Sequence, residues 1–591
     1  MYKNGSLTIR RLHAASMTGF ERLCASGVIP IVVGWASAQP QCAYTLRYDP
    51  SRDPMLIEVT MIASGLSRND GPWSLVLDGW GGWTDLDRPY FVVTSADPPL
   101  SDEEGQSRSF VIPEGWDGSL RVTYTIPALP IGSQEQRART ILPAADDRYI
   151  ACATVNTIAE IRGSSREGLA RSITFDTPPG STVFTGWAGD ATERPKVELP
   201  PPGDNAIYAI GTPLDARRAE SDGVAIEVFQ FAPGDRVAEK TLEVASAFVA
   251  HVAATLHAPP PRPVRICISG TTSGGYLTDH GLVVGLPPGS PDWLLDSPYF
   301  RHLICHELFH TWLGGVLRET ESERTVWFKE GFTDYLSLWH GAACGVLPRE
   351  WFATRMLEIE RDAAGSAFGS TPFIGTNDPW RDGDGPRETM AYRGGAVLAL
   401  SLDAELRRRG HGGLAVMLRE MIAEREMRYS DETILARLRG LGLADFASRY
   451  ITGADAPTVR DALLSLGYEW REFQSELAYV GLRTEKGEGF GRVVEIDPAG
   501  PAAAAGFRQG DVIGGLAPAR TDDARVTDAV ITSFPFGLTM IEPTDDAVTL
   551  WVHRAAAEPT SLQVIPRRIP GGVVQRLTPT PEAEAALFGG G

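Results

Sequence analysis

The sequence predicts an α+β, multidomain protein with an all-β N-terminal domain, a mainly helical middle and a small β-rich C-terminal domain. Length is the first observation: 591 residues exceed what one hydrophobic core holds. Hydrophobic period is the second. Short alternating runs such as SLRVTYTI and SITFDT, separated by Gly-, Pro- and Asp-rich turns, continue to about residue 215. Apolar residues then recur at three and four in EKTLEVASAFVAHVAATLHA, residues 239–258, and residues 297–470 read as almost wholly helical. Strand-like pieces (RVVEID, AVTLWVHR, TSLQVIP) return from residue 476. The expected divisions are 1–38, 39–220, 221–472, 473–566 and 567–591, the last as a frayed tail.

Residues 1–38 read as a secretory signal peptide. Arg10, Arg11 and Arg22 precede ASGVIPIVVGWASA, an apolar run too short to span a bilayer comfortably. It ends on Ala36-Ser37-Ala38, a small-x-small cleavage pattern, and Met17 offers an alternative start of ordinary length. The other reading is a buried N-terminal strand. Cleavage implies a periplasmic or secreted protein with no membrane span. Five cysteines would follow it, Cys42, Cys152, Cys267, Cys305 and Cys344, with no CxxC pair. Scattered singly, they are expected as small buried hydrophobes. A net charge of −20 without a long basic run excludes nucleic acid and anionic membrane surfaces as partners.

The middle region carries the chemistry. HLICHELFHTW, residues 302–312, places three histidines, a glutamate and a cysteine in an apolar segment. Asp296, Ser297 and Pro298 form a helix start, and Gly314-Gly315 a stop. His306 and His310, four apart, then project from one helix face and can reach one zinc ion at about 2.0–2.1 Å each. Glu307 lies about a hundred degrees round the helix, where the HExxH pattern puts a general base. His302 shares the His306 face, and Cys305 points away from it.

A catalytic zinc needs a third protein ligand and an open position. WFKEGFTDYLSLW, from Trp327, reads as a second helix, and Glu330 stands within it, with 19 residues between it and His310. Glu319, Glu321 and Glu323 fall in a polar connection and are expected to be solvated. Glu330 alone is embedded among aromatic residues, where a lone carboxylate is costly without a cation nearby. Asp334, one turn on, fits either a hydrogen bond to a ligand histidine or a surface acid.

HELFHTW followed by WFKEGFTDY resembles the gluzincin metallopeptidases, and specifically the glycyl aminopeptidase family. MAYRGGAVLALSLDAELRRR, residues 390–409, is similar to that family's helix with a Tyr followed by a Lys/Arg-Gly pair. LADFASRYITGADAP, residues 443–457, resembles the segment closing its helical domain. The resemblance covers roughly residues 40–555 and is strongest over 297–410. It implies a β N-terminal domain, a thermolysin-like catalytic domain and a C-terminal PDZ domain. It also implies Tyr392 as hydrogen-bond donor to the oxyanion. Two stretches depart from the family. TWLGGVLRETESERTV is shorter than the corresponding insert. SGGYLTDHGLVV, residues 273–284, stands where Gly-Gly-x-Glu-His would bind a substrate's free amine, which puts Gly274, Gly275 and Asp279 in the substrate-binding role.

DPAGPAAAAGFRQGDVIGGL, residues 497–516, follows the PDZ order Pro-Ala-x-x-Ala-Gly-x-x-x-Gly-Asp-x-Ile. The likeness places the peptide-binding loop at Tyr479, Val480, Gly481 and Leu482. The expected activity is removal of small N-terminal residues, Gly or Ala, from peptides by one zinc per chain. An endopeptidase of the same zinc class and a non-catalytic PDZ scaffold are the alternatives.

Overall fold

The computed structural model describes residues 41–588 except 54, 67–72, 78–91, 104–105, 114–115, 132–142, 163–168, 188–195, 201–204, 271–273, 287–291, 321–323, 375–384, 426–427, 486–491, 517–530, 535–536, 541–547, 555–559 and 566. The signal-peptide stretch lies outside the described residues. No described helix is long and apolar enough to cross a membrane.

Alternation in the N-terminal region becomes layers of sheet. In strand Gln41–Tyr48, Cys42, Tyr44, Leu46 and Tyr48 are buried while the residues between them face outward. A six-stranded sheet runs in the order Lys196–Glu198, Ala170–Asp176, Gln41–Tyr48, Leu56–Ser64, Leu120–Pro127, Val92–Asp97. Its inner face packs on residues of a four-stranded and a five-stranded sheet, among them Leu75, Ile150, Ile161 and Ile210. Two core tyrosines keep their hydroxyls satisfied: Tyr44 donates to the Ala159 carbonyl at 2.7 Å, and Tyr124 to the Thr157 carbonyl at 3.0 Å.

The central region is not purely helical. Its sheet runs Asp215–Ser221, Val224–Gln230, Val264–Ser269, Leu282–Gly285, Gly274–Leu277. Strands Val224–Gln230 and Val264–Ser269 are parallel, joined by helix Val237–Leu256, so this is a βαβ unit. The expected boundary at 220/221 falls inside the first hairpin, whose Asp215 pairs with Gln230. Gly274–Leu277 is the sheet's edge strand. Against it packs helix Pro298–Phe309, which carries the histidines. Helices Phe332–Ala343, Arg349–Ala364 and Gly395–Arg408 complete one continuous core with the sheet.

The C-terminal region holds a five-stranded sheet around Val480, Leu482, Val493, Ala502, Phe507, Ile513, Val552 and Val564. Two glycines of its sequence signature sit in turns at positive φ, Gly506 at 90° and Gly510 at 92°. Asp511 is buried and held bidentately by Arg554 at 2.8 and 3.0 Å.

The chain's end differs from the frayed tail expected of it. Arg567–Pro579 pairs along the whole of Tyr468–Tyr479, and that ladder runs through the expected 472/473 boundary. Helix Pro581–Phe588 then docks on the helical core. Trp339 Nε1 donates to the Leu587 carbonyl at 2.8 Å, and the Phe588 ring meets Phe352 edge-on at 5.5 Å. Burying Leu587 and Phe588 contributes about 1.5–3 kcal/mol each, enough to order a short helix. Of the five cysteines, four are buried singly and none is disulfide-bonded.

One core feature costs stability. His340 is fully buried with neither ring nitrogen hydrogen-bonded, 5.2 Å from the ring of His251 and boxed by Phe248, Phe309 and Trp339. Burial pushes the proton affinity of both imidazoles down, so both stay neutral when folded. The unfolded chain takes up those protons below about pH 6.5, so the folded state loses stability as pH falls through that value. His340→Phe should therefore move the acid-unfolding midpoint to lower pH, followed by circular dichroism. An unchanged midpoint would show that His340 does not limit acid stability.

Candidate metal centre

Local sequence explains how the two histidines come to share a face. Ser297 caps the helix, its Oγ accepting the Tyr299 N–H at 3.2 Å, and Pro298 occupies the first turn. The helix ends at Phe309, with His310 as its C-cap. The chain then reverses through Gly314, at φ 130°. His306 Nε2 and His310 Nε2 stand 3.3 Å apart.

Glu330 reaches them from the second segment. It sits in a single π-helical turn, Trp327–Gly331, leading into helix Phe332–Ala343. Such wide turns re-aim a side chain. Its aromatic neighbours are buried as the sequence implies, with Trp327 and Phe332 rings 5.6 Å apart. Glu330 Oε2 lies 3.5 Å from His306 Nε2 and 3.1 Å from His310 Nε2.

These separations test the fit of a metal. Ligand atoms about 2.0–2.1 Å from a tetrahedral ion lie about 3.3–3.4 Å from one another. The three observed separations bracket that value, and two imidazoles with one carboxylate is a zinc donor set. Both rings are anchored by their other nitrogen. His310 Nδ1 donates to the Leu313 carbonyl at 3.2 Å, with Thr333 Oγ1 at 3.4 Å. His306 Nδ1 faces Asp334 Oδ1 at 3.5 Å. Each Nε2 is thereby left to point at the common centre.

Asp334 is no surface acid. It is 3% exposed, and besides His306 it meets Arg393 Nη1 at 2.5 Å and His302 Nε2 at 3.7 Å. His302 stays out of the ligand group, its Nε2 being 3.2 Å from the Asp334 carbonyl and 3.1 Å from Ser337 Oγ. Glu319, expected in solvent, is instead paired with Lys329 Nζ at 3.0 Å and approached by the Tyr429 hydroxyl at 3.4 Å. Lys329 thus stands near two carboxylates, Glu319 and Glu330, whose charges hold its proton against burial. Glu321 and Glu323 lie outside the described residues.

Glu307 is buried beside the triad and under the edge strand, where it accepts the Leu277 N–H. A Cβ on Gly275 would stand 2.6 Å from Glu307 Cγ, so glycine there makes room for the carboxylate. Burial raises its pKa above the usual carboxylate value, against the pull of both histidines. The Tyr392 ring lies parallel to His306 at 6.4 Å, its hydroxyl within hydrogen-bonding reach of Glu330. Burial first, then Glu330 and Glu307, raise that phenol's pKa, so it remains a donor.

Asp279 is not brought to the triad. It belongs to the turn between the edge strand and Leu282–Gly285, where its Oδ2 accepts the Asn205 N–H at 3.0 Å and its carbonyl accepts from Arg262 at 2.8 Å. Asp279 itself and His280, whose carbonyl accepts the Ile207 N–H at 3.2 Å, hold the turn against the N-terminal region. In the C-terminal region Tyr479 ends its strand, Val480 and Leu482 enter the small core, and Gly481 is at φ 82°. The following strand, Leu482–Glu485, is an edge of the five-stranded sheet.

Sequence reasoning passed over Arg393 and gave His302 no function. The signal for Arg393 was present, since it directly follows Tyr392.

No known family model and no curated protein matches the sequence. Among solved structures, the fold resembles an aminopeptidase N family protein from Idiomarina loihiensis, with TM-score 0.59 and 15% identity. That alignment covers 92% of this chain and 100% of the other, so the likeness is one of whole fold. An M1 zinc metallopeptidase from Deinococcus radiodurans aligns at TM-score 0.45 and 14% identity, over 71% of this chain and 96% of its own. The first defines the class of architecture, and the second is too distant to add to it.

Metal uptake has a proton cost that can be measured. Burial lowers the proton affinity of His306, but hydrogen bonds and charge from Asp334 and Glu330 outweigh it, and its pKa is pushed up to about 10. The metal-free imidazole is thus protonated at neutral pH, and zinc must displace that proton. Zinc binding should release about one proton per ion at pH 7, and its affinity should fall about tenfold per unit of acidification. Calorimetry in two buffers of different ionisation enthalpy measures the release. Uptake without proton release would contradict the coupling of His306 to the two carboxylates.

Proposed function

We propose that this chain is a zinc-dependent metallopeptidase of the gluzincin type, acting as an aminopeptidase on peptides with small N-terminal residues such as Gly or Ala. The convergence of His306, His310 and Glu330 within 4.8 Å, with Glu307 buried beside them, carries this reading. One zinc per chain, when bound by those three residues, supplies Lewis-acid polarisation of the scissile carbonyl and an activated water.

The chain's own groups do the rest. Glu307, its carboxylate held by the Leu277 N–H, takes the water's proton and passes it to the leaving amine. Tyr392 keeps its phenol proton and donates a hydrogen bond to the developing oxyanion. Gly274 and Gly275, on the edge strand, offer backbone groups to a peptide lying beside it. Asp334 orients His306. The signal-peptide reading of residues 1–38 makes the enzyme periplasmic or secreted. The open edge at Leu482–Glu485 and the loop Tyr479–Leu482 suit capture of a peptide C-terminus in the PDZ manner.

An endopeptidase is the second reading, favoured by one observation. The acid that would hold a free amine, Asp279, has its carboxylate on the Asn205 N–H. Acetylating a peptide's N-terminus separates the two, because only an aminopeptidase loses that substrate.

Glu307→Gln should keep stoichiometric zinc and lower kcat by about 10²–10⁴-fold on a panel of aminoacyl and blocked peptides. Unchanged hydrolysis, or wild-type protein without zinc, would leave the scaffold reading. Gly275→Ala pushes a methyl into Glu307 and should cost on the order of 10²-fold in kcat through misplacement. Wild-type turnover in that variant would mean Glu307 does not act from beneath the strand.

A further inference from the structure

The residue after Tyr392 has no role in the chemistry above, yet it is tied to it. Arg393 and Tyr392 share a second π-helical turn, Met390–Gly394. Its Nη1 meets Asp334 Oδ2 at 2.5 Å, while Asp334 Oδ1 faces His306 Nδ1 at 3.5 Å. The two carboxylate oxygens are thus divided, Oδ2 to the guanidinium and Oδ1 to the ligand histidine, with His302 Nε2 on Oδ1 at 3.7 Å. Removing the guanidinium frees that carboxylate to rotate, and His306 loses a fixed partner.

The two π-helical turns also touch. A Cβ on Gly331 would lie 2.4 Å from Gly395 Cα, and a Cβ on Gly395 would lie 2.6 Å from the Trp327 carbonyl oxygen. Glycines at both positions let the turn bearing Glu330 and the turn preceding Gly395 meet backbone to backbone. Phe368 closes the far side of Gly394, where a Cβ would stand 2.6 Å from its ring. The turn bearing Tyr392 is therefore seated on the metal-ligand segment by packing, and tied to it by two polar contacts, Arg393 to Asp334 and the Tyr392 hydroxyl to Glu330.

We propose that Arg393 is a positioning residue that, through Asp334, sets His306 and the Tyr392 turn in one geometry. This rests on the metal-centre reading. Wild-type protein that binds no zinc sinks that reading, whereas zinc binding indifferent to Arg393 sinks only this inference.

The test is zinc affinity and the visible spectrum of the cobalt-substituted protein, in Arg393→Gln, Asp334→Asn and the double variant. Arg393→Gln should weaken zinc about 10–100-fold and change the cobalt bands, the range for groups that orient a metal ligand. It should lower kcat with KM little altered. The two substitutions should not add, since both break one tie. A folded Arg393→Gln with wild-type zinc affinity and cobalt bands overturns the proposal, whatever its melting temperature. If Arg393→Gln does not fold, Arg393→Lys takes its place in the cycle. An affinity loss that vanishes in the Asp334→Asn background supports the tie, and no loss, or an equal loss in both backgrounds, overturns it.

Discussion

Glu330 approaching two imidazoles at a largely enclosed position is the constraint from which the surrounding structure follows. A carboxylate with its oxygen 3.1 and 3.5 Å from two ring nitrogens, and nearly closed off from solvent, is costly unless a cation joins it. Its pKa is held well below the usual value, against burial, chiefly by the charge of His310 and the hydrogen bond from His306. Two segments whose ligands, His310 and Glu330, have 19 residues between them must be clamped to keep the three groups in register. The capped helix, the π-helical turn and the Gly331–Gly395 contact are the means.

Around that centre, the polar side chains that hold the ligand residues are answered by one another. His310 leans on Leu313 and Thr333, His306 on Asp334, Asp334 on Arg393, and Lys329 on Glu319. His340 is the contrast, fully buried in an aromatic box against the partly buried His251 ring and with no hydrogen bond to either ring nitrogen. The difference separates a network that holds a geometry from side chains that only fill space.

Much of this was legible in the sequence because it depends on local spacing. A spacing of four between the histidines fixes a common face, and a capping serine with proline fixes where the helix begins. Glu330 could be picked out because a carboxylate among tryptophan and phenylalanine has no other cheap neighbour. What escaped depends on contacts distant in sequence. Glu319 looks solvated until Lys329 and Tyr429 are folded against it. Residues 567–588 look like a tail until their ladder partner, Tyr468–Tyr479, is known. Asp279 has the right chemistry for an amine, yet the turn that carries it faces Asn205.

The central claim is that one metal ion belongs among His306, His310 and Glu330. Anomalous diffraction at the zinc edge, on crystals of the protein as purified, tests it directly. The account predicts one peak about 2.0–2.2 Å from both Nε2 atoms and a Glu330 oxygen. A peak at another group of residues, or none in fully zinc-loaded protein, would contradict it.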